Sequence, residues 1–462
     1  MTEQASTAAD FDSAGAAGAP DARSADAASG DSVASRLDAT AIGVHTDEVA
    51  ARYDHVIVGA GMAGASAIAG IRAESPDTTI GMFGADVAAP IYRPDLSKTL
   101  WVDADATLEA SLMISGAEGS ESAPDAGTRI HLGVEVAAIH PEAHEIELAD
   151  GRRVGYGTLL LATGAEPRVV DGIEPGPRVI EYRTVSDYRR LRELAAPGAH
   201  IVVVGGGFVG SEVAAVLSVN DVRVTLVASV VPALAHQLPA ALAEAVTAEY
   251  GKHDAEVITG RLKGVRETDD GVTVALEDGS ELPADAVVVG VGVTPRTSLA
   301  EAAGLTVHDG IIVDEQLRAS AADVFAAGDA ARYPDARLGE RRVEHANAAE
   351  TQGKLAGRNM AGAGKPYRTT PFFWSDMYDY GYEAVGELDT RHTVVEDYAT
   401  GDDGSPDLTT GVVYYVDDAG HVRGVLLWNV WDSVKLAREL VERTASEPVD
   451  DLATLRGAIP LP

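Results

Sequence analysis

Tyr53-Asp-His-Val-Ile-Val-Gly-Ala-Gly-Met-Ala-Gly64 is the stretch that decides the fold. Its first half is a short β-branched run. Its second half spaces Gly59, Gly61 and Gly64 as G-x-G-x-x-G, and an alanine-rich segment then continues to about Arg72, which reads as strand, turn and helix. In such a turn Gly59 permits the tight bend, Gly61 lets the backbone approach a pyrophosphate, and Gly64 lets the helix pack against the strand. The helix N-terminus behind it presents free N–H groups to the anion. The segment therefore predicts a dinucleotide site.

The pattern recurs at Ala199-His-Ile-Val-Val-Val-Gly-Gly-Gly-Phe-Val-Gly210, where Gly205, Gly207 and Gly210 lead into a helix expected over Ser211 to Ser218. Phe208 falls inside this second turn. Each turn sits at the end of an apolar strand, where open α/β sheets bind ligands, so two dinucleotides are implied. Leu159 to Pro167 and Ala286 to Pro295 read as buried strands ending in glycine turns, which contain Ala162, Thr163 and Gly164 in the first and Gly292 in the second. The strand-like run Asp323 to Asp329 ends in Gly-Asp, and the Asp329 carboxylate is suited either to a polyol hydroxyl or to capping a helix.

Composition agrees with an α/β chain of about three domains. Hydrophobic residues make up 46% and aromatics 5%, with 48 glycines, which favours small-residue α/β packing over an aromatic-rich sandwich. With 72 acids against 36 Lys and Arg, the formal charge of −36 repels nucleic acid and anionic membrane surfaces. Solubility, or adaptation to high salt, is its simplest reading. The absence of cysteine removes disulfides, thiolate metal sites and any redox cysteine pair; no other metal site is expected either. Residues 1–52 hold nine acids and three arginines without periodic apolar positions, and they read as a disordered acidic tail that fits neither a signal nor a transit peptide. No apolar run is long enough to span a membrane, so a cytoplasmic protein is expected.

Taken in order, GAGMAG (59–64), RPDLSK (93–98), LLLATG (159–164), GGGFVGSE (205–212), GVGVTP (290–295) and VFAAGD (324–329) resemble the two-dinucleotide flavoprotein disulfide reductase superfamily. Within it the chain resembles the apoptosis-inducing factor and oxygenase-type ferredoxin reductase group. Arg342-Val-Glu-His345, Phe373-Trp-Ser-Asp376, Gly381-Tyr-Glu-Ala384 and Gly424 to Asn429 extend the likeness to the apoptosis-inducing factor branch. A polar insertion near 116–127 lies outside it.

The resemblance implies two Rossmann-like dinucleotide-binding domains and a smaller α+β C-terminal domain. An FAD-binding domain would occupy 53–171 and 298–368, an NAD(P)-binding domain 172–297, and a C-terminal domain covering the flavin 369–462. It further implies that Lys98 stands beside flavin N5 and pairs with Glu212, that Phe208 flanks the nicotinamide, and that Glu344 and His345 lie against the isoalloxazine. Trp374 is suited to closing the pocket, with a place in the C-terminal core as the competing reading. Catalysis thus falls to Lys98, Glu212 and His345. Cofactor contacts fall to these and to Arg93, Asp86, Ala162, Thr163, Gly164, Asp329, Glu344, Trp374, Gly292, Phe208 and the six motif glycines.

Two departures stand out. The acid expected about 20 residues past the first glycines is replaced by Ala85, with Asp86 adjacent, and the equivalent place in the second fold is Ala228. No arginine follows Ala228 in Thr225 to Val231, so NADH and NADPH both stay open as substrates. The expected reaction is hydride transfer from nicotinamide to FAD, then electron transfer to a ferredoxin, rubredoxin, quinone or dioxygen without a disulfide. The alternative is a redox-sensing interaction protein, in which a long-lived flavin–nicotinamide complex controls homodimer formation or partner binding.

Overall fold

Arg52–Val58 lies inside a seven-stranded sheet, flanked in parallel by Ile80–Gly84 and Arg153–Leu161. The computed structural model describes residues 48–114 and 127–462. Almost all of the acidic tail and of the polar insertion lies outside the described residues. Val56, Ile57 and Val58 are buried on both faces, as an all-apolar run in a parallel sheet requires. Thr128–Leu132 extends the sheet beside Ile80–Gly84. On the far side, Arg153–Leu161 pairs with two different partners. Its start takes the antiparallel strand Glu145–Leu148, and its end, Leu159 to Leu161, takes Val324–Ala326 in parallel. The chain therefore leaves this sheet and comes back to complete it.

A second, wholly parallel sheet is built in between, in the order Ala255–Thr259, Arg223–Ala228, His200–Val204, Ala286–Val289, Val179–Ile180. Three antiparallel strands, Leu262–Thr268, Gly271–Leu276 and Glu281–Ala284, precede its return strand. The two nucleotide folds are linked by a short antiparallel pair, Ala165–Pro167 with Val293–Pro295.

The third sheet is antiparallel and five-stranded, running from Phe372 to Trp428, with the helix Val434–Thr444 on one face. Its strands alternate cleanly. Tyr415, Leu426 and Trp428 join the core of the second nucleotide fold, while Val412, Tyr414 and Leu427 join Leu440 and Val441 of the helix. This period-two pattern fastens the C-terminal sheet to the second fold.

Both glycine turns start their helices earlier than the sequence spacing suggests. The helices run Met62–Glu74 and Phe208–Ser218, capped by Gly61 and Gly207. Phe208 is thus the first helical residue, not a turn residue, and the helix expected from Ser211 begins three residues sooner. The third glycine of each motif lies in the first helical turn, where a Cβ would overlap the carbonyl oxygen of the first glycine. Asp323 to Asp329 is also shorter in strand than expected: only Val324–Ala326 pairs, and Gly328–Ala330 forms a 3₁₀ turn entered at Gly328 with φ +73°.

The helix Met62–Glu74 packs along Ala346–Met360 through a glycine seam. A Cβ at Gly70, Gly353 or Gly357 would overlap the backbone of Lys354, Ala63 or Ala67 respectively. Among the described residues, no helix is long and apolar enough to cross a membrane.

Candidate active site

Lys98 and Glu212 come from different folds and meet at 2.7 Å, with side chains only 10% and 7% exposed. Lys98 follows the 3₁₀ turn Arg93–Ser97, and Glu212 lies in the helix that starts at the second glycine turn. A carboxylate this buried needs more than one partner. Ser97 Oγ donates to Glu212 Oε2 at 2.7 Å, and Ser375 Oγ donates to Oε1 at 2.6 Å. Each of the three segments, first fold, second fold and C-terminal sheet, therefore contributes to holding one charge. The Lys98 ammonium also lies 5.1 Å from the centre of the Trp374 ring, within cation–π range.

Rings carry the site onward. Phe373 stands between Phe208, at 5.2 Å, and His345, at 4.4 Å between ring centres. His345 caps the helix Ala346–Met360. Burial pushes its imidazole down to about 4, so it is neutral at physiological pH. Part of the residue remains exposed, yet among the described residues its buried Nδ1 and the buried Oδ1 of neighbouring Asn347 find no hydrogen-bond partner. Two orphaned polar atoms at a helix start are what a bound heteroaromatic ring with donors and acceptors would satisfy.

At the other end, Asp329 pairs with Arg183 at 2.7 Å, and Arg93 Nη1 donates to the Arg183 carbonyl oxygen at 2.9 Å. Burial first, and then the Arg183 charge, pull the Arg93 guanidinium down to about 10. Arg93 and Arg183 thus stand together beside Asp329, and arginine forks of this kind suit a diphosphate. Gly59 has φ +117°, and a Cβ there would overlap the Ala162 carbonyl; a Cβ at Gly61 would meet nothing within 4 Å. Gly205 and Gly207 repeat the contrast, Gly205 at φ +122° against Gly290 and Gly207 facing open space. In each turn the first glycine is required by the bend, and the middle one leaves room at a helix N-terminus for an anion. On these observations each of the two glycine turns fits the diphosphate of a dinucleotide.

Thr163 Oγ1 donates to the Arg296 carbonyl at 2.7 Å, and Gly164, at φ +69°, accepts from Arg296 N–H. Gly292, at φ +102°, lies beside the Arg168 side chain. Asp86 is exposed just past Ile80–Gly84 and accepts from Ala88 N–H at 3.0 Å. Glu344 is not drawn into the cluster: it is exposed and paired with Arg342 at 2.7 Å. Ser97, Ser375, Phe373 and Arg183 were not singled out from sequence. Ser97 and Ser375 lie inside quoted motifs, but Arg183 carries no local signature, since its contact to Asp329 spans 146 positions.

The pyridine nucleotide-disulphide oxidoreductase family profile matches residues 53–353. The profile of the C-terminal domain of mitochondrion-associated apoptosis-inducing factor matches residues 356–407. The chain is 32% identical over 435 residues to mitochondrial apoptosis-inducing factor 1 of Dictyostelium discoideum, covering 88% of this chain and 81% of that one. It is 33% identical over 405 residues to the ferredoxin–NAD(+) reductase component of the anthranilate 1,2-dioxygenase system of Burkholderia cepacia, covering 86% and 96%. Among solved structures, a covalent putidaredoxin reductase–putidaredoxin complex matches with TM-score 0.75 at 27% identity, covering 87% of this chain and 95% of that one.

Proposed function

The chain belongs to the pyridine nucleotide-disulphide oxidoreductase family, and from that membership we propose that it is a ferredoxin-reductase-like enzyme that moves electrons from NAD(P)H through FAD to a small electron-transfer protein. The absence of cysteine removes the disulfide half of the family's chemistry, so electrons leave from the cofactor itself. The observation that carries the reading is the Lys98–Glu212 pair, which joins the segment behind the first glycine turn to the helix behind the second.

Bound FAD supplies the two-electron acceptor for nicotinamide hydride and the one-electron donor to the outside acceptor. The protein's own groups orient and tune. The first glycine turn, bent at Gly59 and open at Gly61, would hold the diphosphate end with Arg93, and Asp329, steadied by Arg183, would accept from a polyol hydroxyl. Lys98, fixed by Glu212, keeps a positive charge where negative charge develops. Neutral His345 would offer a hydrogen bond and a ring face, with Phe373 packed against it and Trp374 beside Lys98. Phe208 and the second set of glycines receive the nicotinamide dinucleotide. This reading divides the chain into an FAD domain at 53–171 with 298–368, an NAD(P) domain at 172–297 and a covering domain at 369–462. The pairing of Val324–Ala326 with Leu159 to Leu161 supports the split. The cytoplasm is the proposed compartment, in keeping with a chain that makes no disulfides.

Anaerobic titration of the purified flavoprotein with NADH and NADPH, followed by a screen of ferredoxins, quinones and dioxygen, tests the reading. Bleaching of the flavin by at least one nucleotide and rapid turnover with a ferredoxin are expected. Protein without FAD, or FAD that neither nucleotide bleaches, would sink it. A second reading is favoured by the apoptosis-inducing factor match at residues 356–407: a redox-sensing interaction protein whose assembly follows the cofactor state. Slow turnover with every acceptor, a long-wavelength absorbance after NADH and a change of mass by light scattering would select it.

A further inference from the structure

The second nucleotide fold lacks the carboxylate that usually binds the adenosine ribose diol. Ala228 ends the strand Arg223–Ala228 at that place and is buried. The loop after it, Ser229-Val-Val-Pro-Ala-Leu-Ala-His236, contains neither Lys nor Arg. Folding brings a cation there from elsewhere. Ala228 pairs with Thr259 of the neighbouring parallel strand, and the Ala228 carbonyl accepts from Gly260 N–H at 2.9 Å. The next residue is Arg261. It therefore emerges at the same carboxyl edge of the sheet, one residue from a direct bond to the strand end where the ribose 2′ position belongs.

Arg261 is exposed, and among the described residues its guanidinium has no hydrogen bond or ion pair; only its carbonyl is used, accepting from Glu277 N–H at 2.9 Å. An arginine side chain presents a planar fork that matches a phosphate. With Ala228 in place of an acid, the strand end itself neither repels a 2′-phosphate nor accepts from a 2′-hydroxyl. Ser229 is able to bond either group.

We propose that Arg261 binds the 2′-phosphate of NADPH, so that the protein uses NADPH at least as well as NADH. This rests on the reading that the second fold takes the nicotinamide dinucleotide. The residue is a specificity determinant at the adenosine end and takes no part in the electron transfer.

Calorimetric titration of the FAD-loaded protein with adenosine 2′,5′-bisphosphate and with 5′-AMP isolates the contact without turnover. The bisphosphate is expected to bind about 10-fold or more tightly than AMP. In Arg261→Ala this affinity ratio is expected to fall to about 1, in Arg261→Lys to be partly restored, and in Ala228→Glu to be inverted in favour of AMP. The ratio of kcat/KM for NADPH over NADH should fall in parallel in Arg261→Ala. Equal binding of the two probes by the unaltered protein, or equal weakening of both in Arg261→Ala, would overturn the proposal. If NADH bleaches the flavin while the bisphosphate shows no advantage, Arg261 alone is misassigned. If neither nucleotide bleaches it, the reading of the second fold is what fails.

Discussion

Replacing Glu212 with glutamine would leave the Lys98 ammonium buried beside Trp374 without its counter-charge. Breaking a buried pair from one side costs about 3–5 kcal/mol. Chemical denaturation of Glu212→Gln should therefore show a loss of that order, and stopped-flow reduction by NAD(P)H should slow by about 100-fold if Lys98 supplies the stabilising charge. A stability loss with an unchanged reduction rate would assign the pair a structural role alone. His345 makes a separate prediction. Its imidazole is near 4 when folded against 6.5 ordinarily, so between those values the unfolded chain binds more protons than the folded one. Its contribution to stability is present above pH 6.5 and is lost as pH falls towards 4. In His345→Gln the pH dependence of the denaturation midpoint should flatten across that window. At this scale the sequence was readable where a motif names the residue, as with Lys98 and Glu212. Arg183 was not, because its meaning lies in a carboxylate 146 positions away. Glu344 shows the converse: the motif names it, but the nearby Arg342 holds its side chain at the surface.

Single substitutions separate the two functions of each glycine turn. A side chain at Gly59 collides with Ala162 and requires φ +117°, so Gly59→Ala should destabilise the apoprotein itself, by about 2 kcal/mol or more. At Gly61 a Cβ enters open space, so Gly61→Ala should fold normally and bind FAD poorly, since the added methyl lies where the diphosphate would approach. Thermal unfolding of both apoproteins together with flavin content after purification checks the pair; equal behaviour of the two variants would contradict the assignment. The strands and the two glycine turns were legible in the sequence because an apolar run ending in glycines admits few other readings. Helix starts were less so, since the third glycine looks like part of the turn but packs inside the first helical turn. The alternation along Pro406–Val416 and Val422–Trp428 likewise becomes meaningful only once each face is seen to have its own partner.

At the scale of the whole molecule, a charge of −36 makes the folded chain repel itself and any acidic partner. In molar salt the screening length falls to about 3 Å. Raising KCl from 0.1 to 2 M is therefore expected to lift the unfolding midpoint by about 5 °C or more and to speed turnover with an acidic ferredoxin. A midpoint that does not move would remove salt adaptation as the reason for the composition. The α/β class and both nucleotide folds could be read from the chain's own motifs. The cation beside Ala228 could not, because sheet order and not sequence order makes Arg261 its neighbour. The return of Val324–Ala326 to the end of Arg153–Leu161 has a consequence for synthesis. At ~5–20 residues per second, the ribosome exposes Leu159 to Leu161 roughly 10–30 s before their partner strand emerges. During that interval an apolar sheet edge stands open, ready to pair with another nascent chain. A chain ending before residue 324 would keep that edge permanently and should aggregate. The full-length protein should gain soluble yield from a holdase chaperone during translation more than after it.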